Sequence, residues 1–544
     1  MYHYHHQMRI FLQQHNDLLR AENMAMVQAL NSSSPSICLS CDGPIVSTEE
    51  SELSLENALL RSEIDTLTCF IMRLSSFRSL YPTVGASMSK WHYAVAVMTS
   101  LSLKEVVSLS RQGTPMWTSN ERLNLDEYYS ICFPWFARNA PGFVHEVSRA
   151  SALVPFDASL LVENLTNHVN WQKIFPSIIA DVSMESHHRL FQLLNVDFMP
   201  QISPLIQTRN VKLLRRSMHI ENDTWVIAYI SMYFSSYERH SRPNFMRFPS
   251  GYLVQRVANG ISKVTVLDHW VYKEEEVRNI FISNSAFGAY RWLAALQKHC
   301  YNIWSISISS LGHQIQIFGP ICHTNLLNLS TSMVYAFCTG VCGTPRQKWK
   351  RLGTIGSSVS KIRMFNRESR DMKGIPCVFI SATGMTRMQA TPEVIFGLIN
   401  RAKKQDIWKH LNSVRDMKEL IRIKRSPSPG NEVSVFSIEW TSSTEWYMIQ
   451  ETYLDASGAM IIYACIEAPY FTAVINGGDL SDIKLLPCGF TMMPHGLQGS
   501  LVSAAYQVKT YQTSVTNSEE LMSYIKSMVT DTLGNVRNAF STYR

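Results

Sequence analysis

Charge is scarce in this 544-residue chain: Asp, Glu, Lys and Arg together make up 17% of it. Long apolar runs are missing too. The longest, 459–475, is broken by Glu467 and Pro469 and reads as core strands rather than a membrane span. No secretory signal opens the sequence. Its 11 cysteines, odd in number and scattered, therefore read as reduced intracellular thiols and not as a disulfide framework. There is no phosphate-binding glycine loop, no HExxH, no Gly-x-Ser-x-Gly and no supportable Ser/His/Asp set, so an enzyme is the weakest reading. A net charge of +7 is a mild excess for this length, far below that of a compact nucleic-acid-binding module. What is present is 46% hydrophobic residues, a globular composition, on a chain too long for one core. Two or three domains are expected.

The N-terminal part is organised by heptads. Leu12, Asn16, Leu19, Asn23, Met26 and Leu30 alternate by four and three, and the pattern resumes with Leu53, Asn57, Leu60, Ile64 and Leu67. Buried asparagines at a positions cost stability but set register and a two-stranded state. A dimeric coiled coil is expected, with a pair of ordinary amphipathic helices as the alternative. The intervening loop carries Cys38 and Cys41. One such pair supplies two zinc ligands where a structural site wants four. Redox control, free thiols and a zinc site shared across a dimer all remain open, and no metal is assigned. His3, His5 and His6 read as a frayed tail. His187 and His188 are adjacent on a strand and so point apart, which makes them a poor metal pair.

The stretch from Phe248 to Trp304 anchors the rest. Two β-rich runs, 252–257 and 261–270, flank Asn259-Gly260, a strong hairpin signal because both residues tolerate the positive φ of a type I′ turn. A two-residue turn there predicts Val254 opposite Thr265, Tyr252 opposite Leu267 and Leu253 opposite Val266. Asp268 and His269 then point to opposite faces and cannot act as a dyad. Further on, Ala289, Trp292, Leu293, Leu296, Cys300 and Ile303 form one helical stripe.

Pro249-Ser250-Gly251, the Asn-Gly hairpin, the strand ending Asp268-His269, and Phe287-Gly288-Ala289-Tyr290-Arg291-Trp292 together resemble the START (lipid-transfer) domain of plant class IV homeodomain-leucine zipper transcription factors. Gly113-Thr-Pro-Met-Trp117, Leu123-Asn124 to Tyr128 and Ser203-Pro204-Leu205 to Arg209 continue the resemblance. Beyond it, 311–544 resembles the region that follows START in this family, with Gly477-Gly478-Asp479 and Leu485 to Phe490 among its blocks. The two heptad blocks resemble the family's zipper-loop-zipper. The family's recognition helix carries Trp-Phe-x-Asn-x-Arg; no such run occurs in these 544 residues, and no residue is assigned to DNA contact.

The resemblance implies an α+β chain: N-terminal coiled-coil helices at 1–77, a linker at 78–89, a START helix-grip domain at 90–310 (a curved antiparallel sheet on a long C-terminal helix) and a second α+β domain at 311–544. It also implies a cavity for a lipid or sterol, and Arg209, Trp225, His269 and Arg291 are the candidate wall residues. No other cofactor is expected. The expected function is transcription regulation in the nucleus, as a homodimer or heterodimer with class IV homeodomain-leucine zipper partners that contact the DNA. The alternative is a lipid-binding or lipid-sensing protein with no direct role in transcription. The basic stretch 422–430, Arg-Ile-Lys-Arg-Ser-Pro-Ser-Pro-Gly, reads as a solvated, flexible interruption or a nuclear-import patch.

Overall fold

The computed structural model describes residues 85–543 apart from 112–115, 119–121, 132–142, 189–190, 200–207, 221–222, 233–244, 274–287, 311–318, 342–348, 352–361, 371–374, 402–403, 409–413, 427–428, 441–444, 456, 479–482, 484, 497 and 512–517. The heptad residues from Leu12 to Leu67, and Cys38 and Cys41, lie outside the described residues. The chain divides into two compact units. The first takes residues up to 171 with 182–196 and 211–274; the second takes 172–181, 197–210 and everything from 275.

An eight-stranded sheet supplies most of the first unit. Its strands are β1 (Val144–Val154), β2 (Ile179–His188), β3 (Phe191–Phe198), β4 (Arg209–Ile220), β5 (Thr224–Ser231), β6 (Phe245–Arg247), β7 (Ser250–Ala258) and β8 (Ile261–Tyr272). The order is β1-β8-β7-β5-β4-β3-β2, with β6 paired to β8. The pairings β1–β8, β8–β7, β7–β5 and β5–β4 are all antiparallel. Helix α1 (Gly85–Ser110) begins inside the stretch read as a linker. It buries Leu103, Val106, Val107 and Leu109 against Val226, Ala228, Leu253 and Leu267 of the sheet. Three short helices follow: α2 (Leu125–Ile131), α3 (Ala158–Thr166) and α4 (His168–Ile174). Asp157 caps α3 by accepting from the amides of Ser159 and Leu160, which would otherwise lack partners.

The hairpin forms at Asn259-Gly260, but two details depart from expectation. Of the pair, only Gly260 takes a positive φ, 74°. The turn is therefore not type I′, which needs both. A β-bulge between Arg256 and Ala258 then slips the register by one, so that Val254 pairs with Val264, Leu253 with Thr265 and Tyr252 with Val266. Turns of the unprimed kind splay twisted strands, and a bulge restores the local right-handed twist. The slip also changes which residues share a face: Leu253, and not Tyr252, lies on the side of Leu267.

The second unit contains α5 (Ala289–Ser310), on which Ala289, Trp292, Leu293, Leu296 and Cys300 are buried as the stripe predicts. It also contains a nine-stranded sheet between two helical layers. The remaining elements are α6 (Gly319–Val341), β9 (Lys350–Arg351), β10 (Arg363–Arg370), β11 (Pro376–Met388), α7 (Pro392–Arg401), α8 (Lys404–Ile407), β12 (Val414–Lys424), β13 (Glu432–Trp440), β14 (Trp446–Asp455), β15 (Gly458–Glu467), α9 (Ala468–Asn476), β16 (Cys488–His495), β17 (Gly499–Thr510) and α10 (Ser518–Tyr543). The strands run β12-β13-β14-β15-β16-β17-β11-β10-β9. Alternation on β15 shows the layering. Ile461 and Tyr463 pack with α7 and α10, while Ile462 and Ala464 pack with α6 and α9.

Two expectations are corrected here. The apolar run 459–475 is a strand followed by helix α9, which Pro469 opens at its first turn, where a missing N–H costs nothing. The basic stretch from 422 is only in part a solvated interruption: Arg422 and Lys424 are exposed, Arg425 is buried, and 427–428 lie outside the described residues. Residues 422–424 close strand β12, Arg422 is bidentate on Glu419, and Arg425 is 2% exposed. The partners that bury Arg425, Leu327 and Glu451, come from distant parts of the chain.

Candidate functional site

The two faces of the first sheet are furnished differently. Alternation along β5, β7 and β8 puts Val226, Ala228, Leu253 and Leu267 toward α1 and Tyr229, Tyr252, Asp268 and Trp270 on the other face. That second face is polar, aromatic and buried. Arg247 of β6 reaches Asp268 at 2.5 Å, with side chains 0% and 1% exposed. Its guanidinium lies 4.3 Å from the ring centre of Tyr229 and 5.2 Å from that of Trp270, and the Trp270 indole N–H donates to the second carboxylate oxygen of Asp268 at 3.1 Å. Charge taken out of water needs such close pairing, and the aromatic faces add cation–π attraction.

Next to this pair, Arg215 donates to Gln192 Oε1 at 2.9 Å and to the carbonyls of Leu165 and Thr166 at the end of α3. Trp171 stacks near Tyr229, with centroids 5.5 Å apart. Burial brings the Arg215 guanidinium down to about 10 and raises the Tyr252 hydroxyl well above its usual range. At neutral pH both keep their ordinary protonation. The face is thus a fixed set of donors in an apolar setting, suited to orienting a ligand's polar end rather than to moving protons.

The opposite face carries a different network. His269 is fully buried, with Nε2 3.1 Å from Nδ1 of His145; His145 Nε2 in turn meets the Tyr129 hydroxyl at 2.9 Å. Tyr128 packs edge-on to His269 and donates to Glu105 of α1 at 2.6 Å. Desolvation lowers His145 to about 4 and His269 well below its ordinary value, so both imidazoles are neutral at pH 7.

The four candidate wall residues are not brought together. Trp225 lies at the start of β5 on the Tyr229 face, stacked 4.7 Å from His219. His269 sits on the α1 face. Arg209 opens β4, half-buried, in the second unit. Arg291, on α5, donates to the carbonyls of Met199 (3.0 Å) and Ser177, and lines a cavity of about 360 Å³ within the second unit. Sequence reasoning missed Arg247, Tyr229 and Tyr252. The expected register put Tyr252 on the face of Leu267 and His269, so no sequence signal joined it to Asp268, and nothing local marks Arg247 as the partner of Asp268. Asp268 and His269 do take separate partners. No group of three or more metal-binding side chains occurs among the described residues, and no described helix is long and apolar enough to cross a membrane.

Residues 101–302 match the START domain, and 321–542 match the PDF2-like C-terminal domain. The fold is therefore a START helix-grip domain followed by a second α+β domain. The chain is 27% identical to the homeobox-leucine zipper protein HDG1 of Arabidopsis thaliana over 91% of its own length and 70% of that protein's. It is 28% identical to the homeobox-leucine zipper protein ROC8 of Oryza sativa subsp. japonica, over 91% and 79%. Over most of its length the chain is thus similar to plant homeobox-leucine zipper proteins. Among solved structures, human StAR-related lipid transfer protein 5 is 14% identical, covering 40% of this chain and 97% of that one, with a TM-score of 0.26.

Proposed function

We propose that this chain is a non-enzymatic, lipid-binding transcription regulator of the nucleus, acting as a homodimer or heterodimer through 1–77 with DNA-binding partners of its family. In this reading 90–310 binds a lipid or sterol and 311–544 is the adjacent domain. The observation that carries it is the buried face built on Arg247 and Asp268, flanked by Tyr229, Tyr252 and Trp270, inside the stretch that matches START. Such a face offers an amphiphile a few fixed polar groups among large aromatic surfaces. Trp225 shares that face and is the wall residue we retain. The family's relatives are named homeobox-leucine zipper proteins, which supports the transcription role. The 544 residues hold no Trp-Phe-x-Asn-x-Arg run, so base reading is assigned to the partner chain.

The test is an electrophoretic DNA-binding assay on the purified chain, alone and mixed with a homeobox-leucine zipper relative such as HDG1. The expected result is no shift alone and a reduced shift by the relative on mixing, because a mixed dimer loses half of its DNA contacts. A sequence-specific shift by the chain alone would sink the assignment of base reading to partners. A relative left unaffected would favour a lipid-binding protein without a direct role in transcription.

A further inference from the structure

The outer side of α5 has its own chemistry. While Trp292, Leu296 and Cys300 are buried on one side, Arg291, Ala295, Lys298, His299 and Asn302 recur at helical spacing on another and line the cavity of about 360 Å³. Thr331 and Val334 of α6 and Tyr453, Asp455 and Met460 of the β14–β15 hairpin complete its wall. All of these residues belong to the second unit. A volume of this size is that of a small-molecule site.

Two hydrogen-bond donors with open capacity, Lys298 and Tyr453, belong to its wall. The Lys298 ammonium lies 3.1 Å from the ring centre of Tyr453. Among the described residues no carboxylate pairs with it directly. Glu451 is already paired with Arg425 at 3.2 Å, and Asp455 accepts from the amide and hydroxyl of Ser457 at 2.8 and 2.6 Å. The Tyr453 hydroxyl has no hydrogen-bond partner among the described residues, though the side chain is only 3% exposed. Buried polar atoms left in this state are uncommon and point to a missing partner. Ile174, Pro176, Ala295, Val334 and Met460 supply an apolar remainder of the wall.

We propose that this cavity is a ligand site in its own right and takes an amphiphilic monocarboxylate, its head on Lys298 and Tyr453 and its aliphatic chain along Ala295, Val334 and Met460. One available ammonium matches a single negative charge. The Arg291 guanidinium is engaged by the Ser177 and Met199 carbonyls and does not offer the second cation a phosphate dianion would recruit. The assignment stands apart from the lipid-binding face of the first sheet, because no residue of one belongs to the other.

The experiment titrates the full chain with decanoate, and separately with decanol, by isothermal calorimetry. Saturable decanoate binding is expected, weakened about ten-fold or more by Lys298→Met, as loss of a charge-assisted hydrogen bond implies. Ala295→Trp, which fills the cavity while keeping the charge, is expected to abolish it; thermal melting of each variant reports that it has folded. Tyr252→Leu on the first sheet is expected to leave the Lys298-dependent part of the binding in place. Equal binding of decanol would overturn the carboxylate assignment. Decanoate binding that survives both Lys298→Met and Ala295→Trp, or that Tyr252→Leu alone removes, would overturn the site.

Discussion

Arg247 and Asp268 are joined at 2.5 Å with neither side chain reaching solvent, on a sheet face they share with Tyr229, Tyr252 and Trp270. Removing one partner leaves the other charge buried and uncompensated, which costs about 3–5 kcal/mol. Arg247→Met is therefore expected to destabilise the first unit by that amount in urea unfolding. The double replacement Arg247→Met with Asp268→Leu is expected to recover much of the loss. A double variant as unstable as the single one would show that the pair is held for reasons other than charge balance.

Glu105 makes stability pH-dependent in the opposite sense to an ordinary surface carboxylate. Desolvation raises it from 4.5 to about 8, against the opposing effect of the Tyr128 hydroxyl. The folded state thus holds a proton that the unfolded chain has already released. Between about pH 4.5 and 8 the folded state binds more protons, so stability falls as pH rises through that window. Glu105→Gln keeps an acceptor for Tyr128 and removes the titration. It is expected to flatten the pH dependence of Tm and to melt above the parent at pH 8; a Tm gap that does not widen with pH would count against this assignment.

Gly251 and Gly260 sit in the same hairpin but differ in what they tolerate. A Cβ on Gly251 would overlap the carbonyl oxygen of Ile227 on β5, a backbone atom that cannot move without breaking the ladder. At Gly260 a Cβ meets nothing, and only the positive φ of 74° resists substitution. Gly260→Ala is expected to cost about 1–2 kcal/mol, and Gly251→Ala several times that, enough to prevent recovery of folded protein. Comparable soluble yields and Tm values for the two variants would contradict this ranking.

Trp408 holds the core of the second unit. It is fully buried, with ring centres 4.2 Å from Tyr463 and from Phe490 and 6.2 Å from Tyr506. Trp408→Ala is expected to cost about 3–5 kcal/mol through lost burial and the cavity left behind. The loss should appear as a lower unfolding midpoint together with a weakened near-ultraviolet circular dichroism signal. Trp408→Phe, which keeps an aromatic ring in place, is expected to cost less.

Local features were legible from residue order alone. The Asn259-Gly260 turn, the buried stripe of α5 and the terminal helix with Ile525, Met528, Val529 and Leu533 inside all follow from periods of two or 3.6 residues, which act over neighbours in the chain. The opposed facing of Asp268 and His269 came from the same rule. Register did not. The bulge before Ala258 depends on how the whole sheet twists, and it moved every pairing beyond it by one. Burial of charge was equally hidden. Arg425 looked like part of a basic loop because Glu451 and Leu327, which enclose it, are remote in sequence. Nothing near Lys298 in the sequence marks the Tyr453 ring that it faces. Sequence by itself determined the elements and their order, because those rest on local periodicity, and its motifs carried the resemblance to a family. Only the tertiary structure decided which charges are buried and what they face, because desolvation is set by atoms brought together from distant parts of the chain.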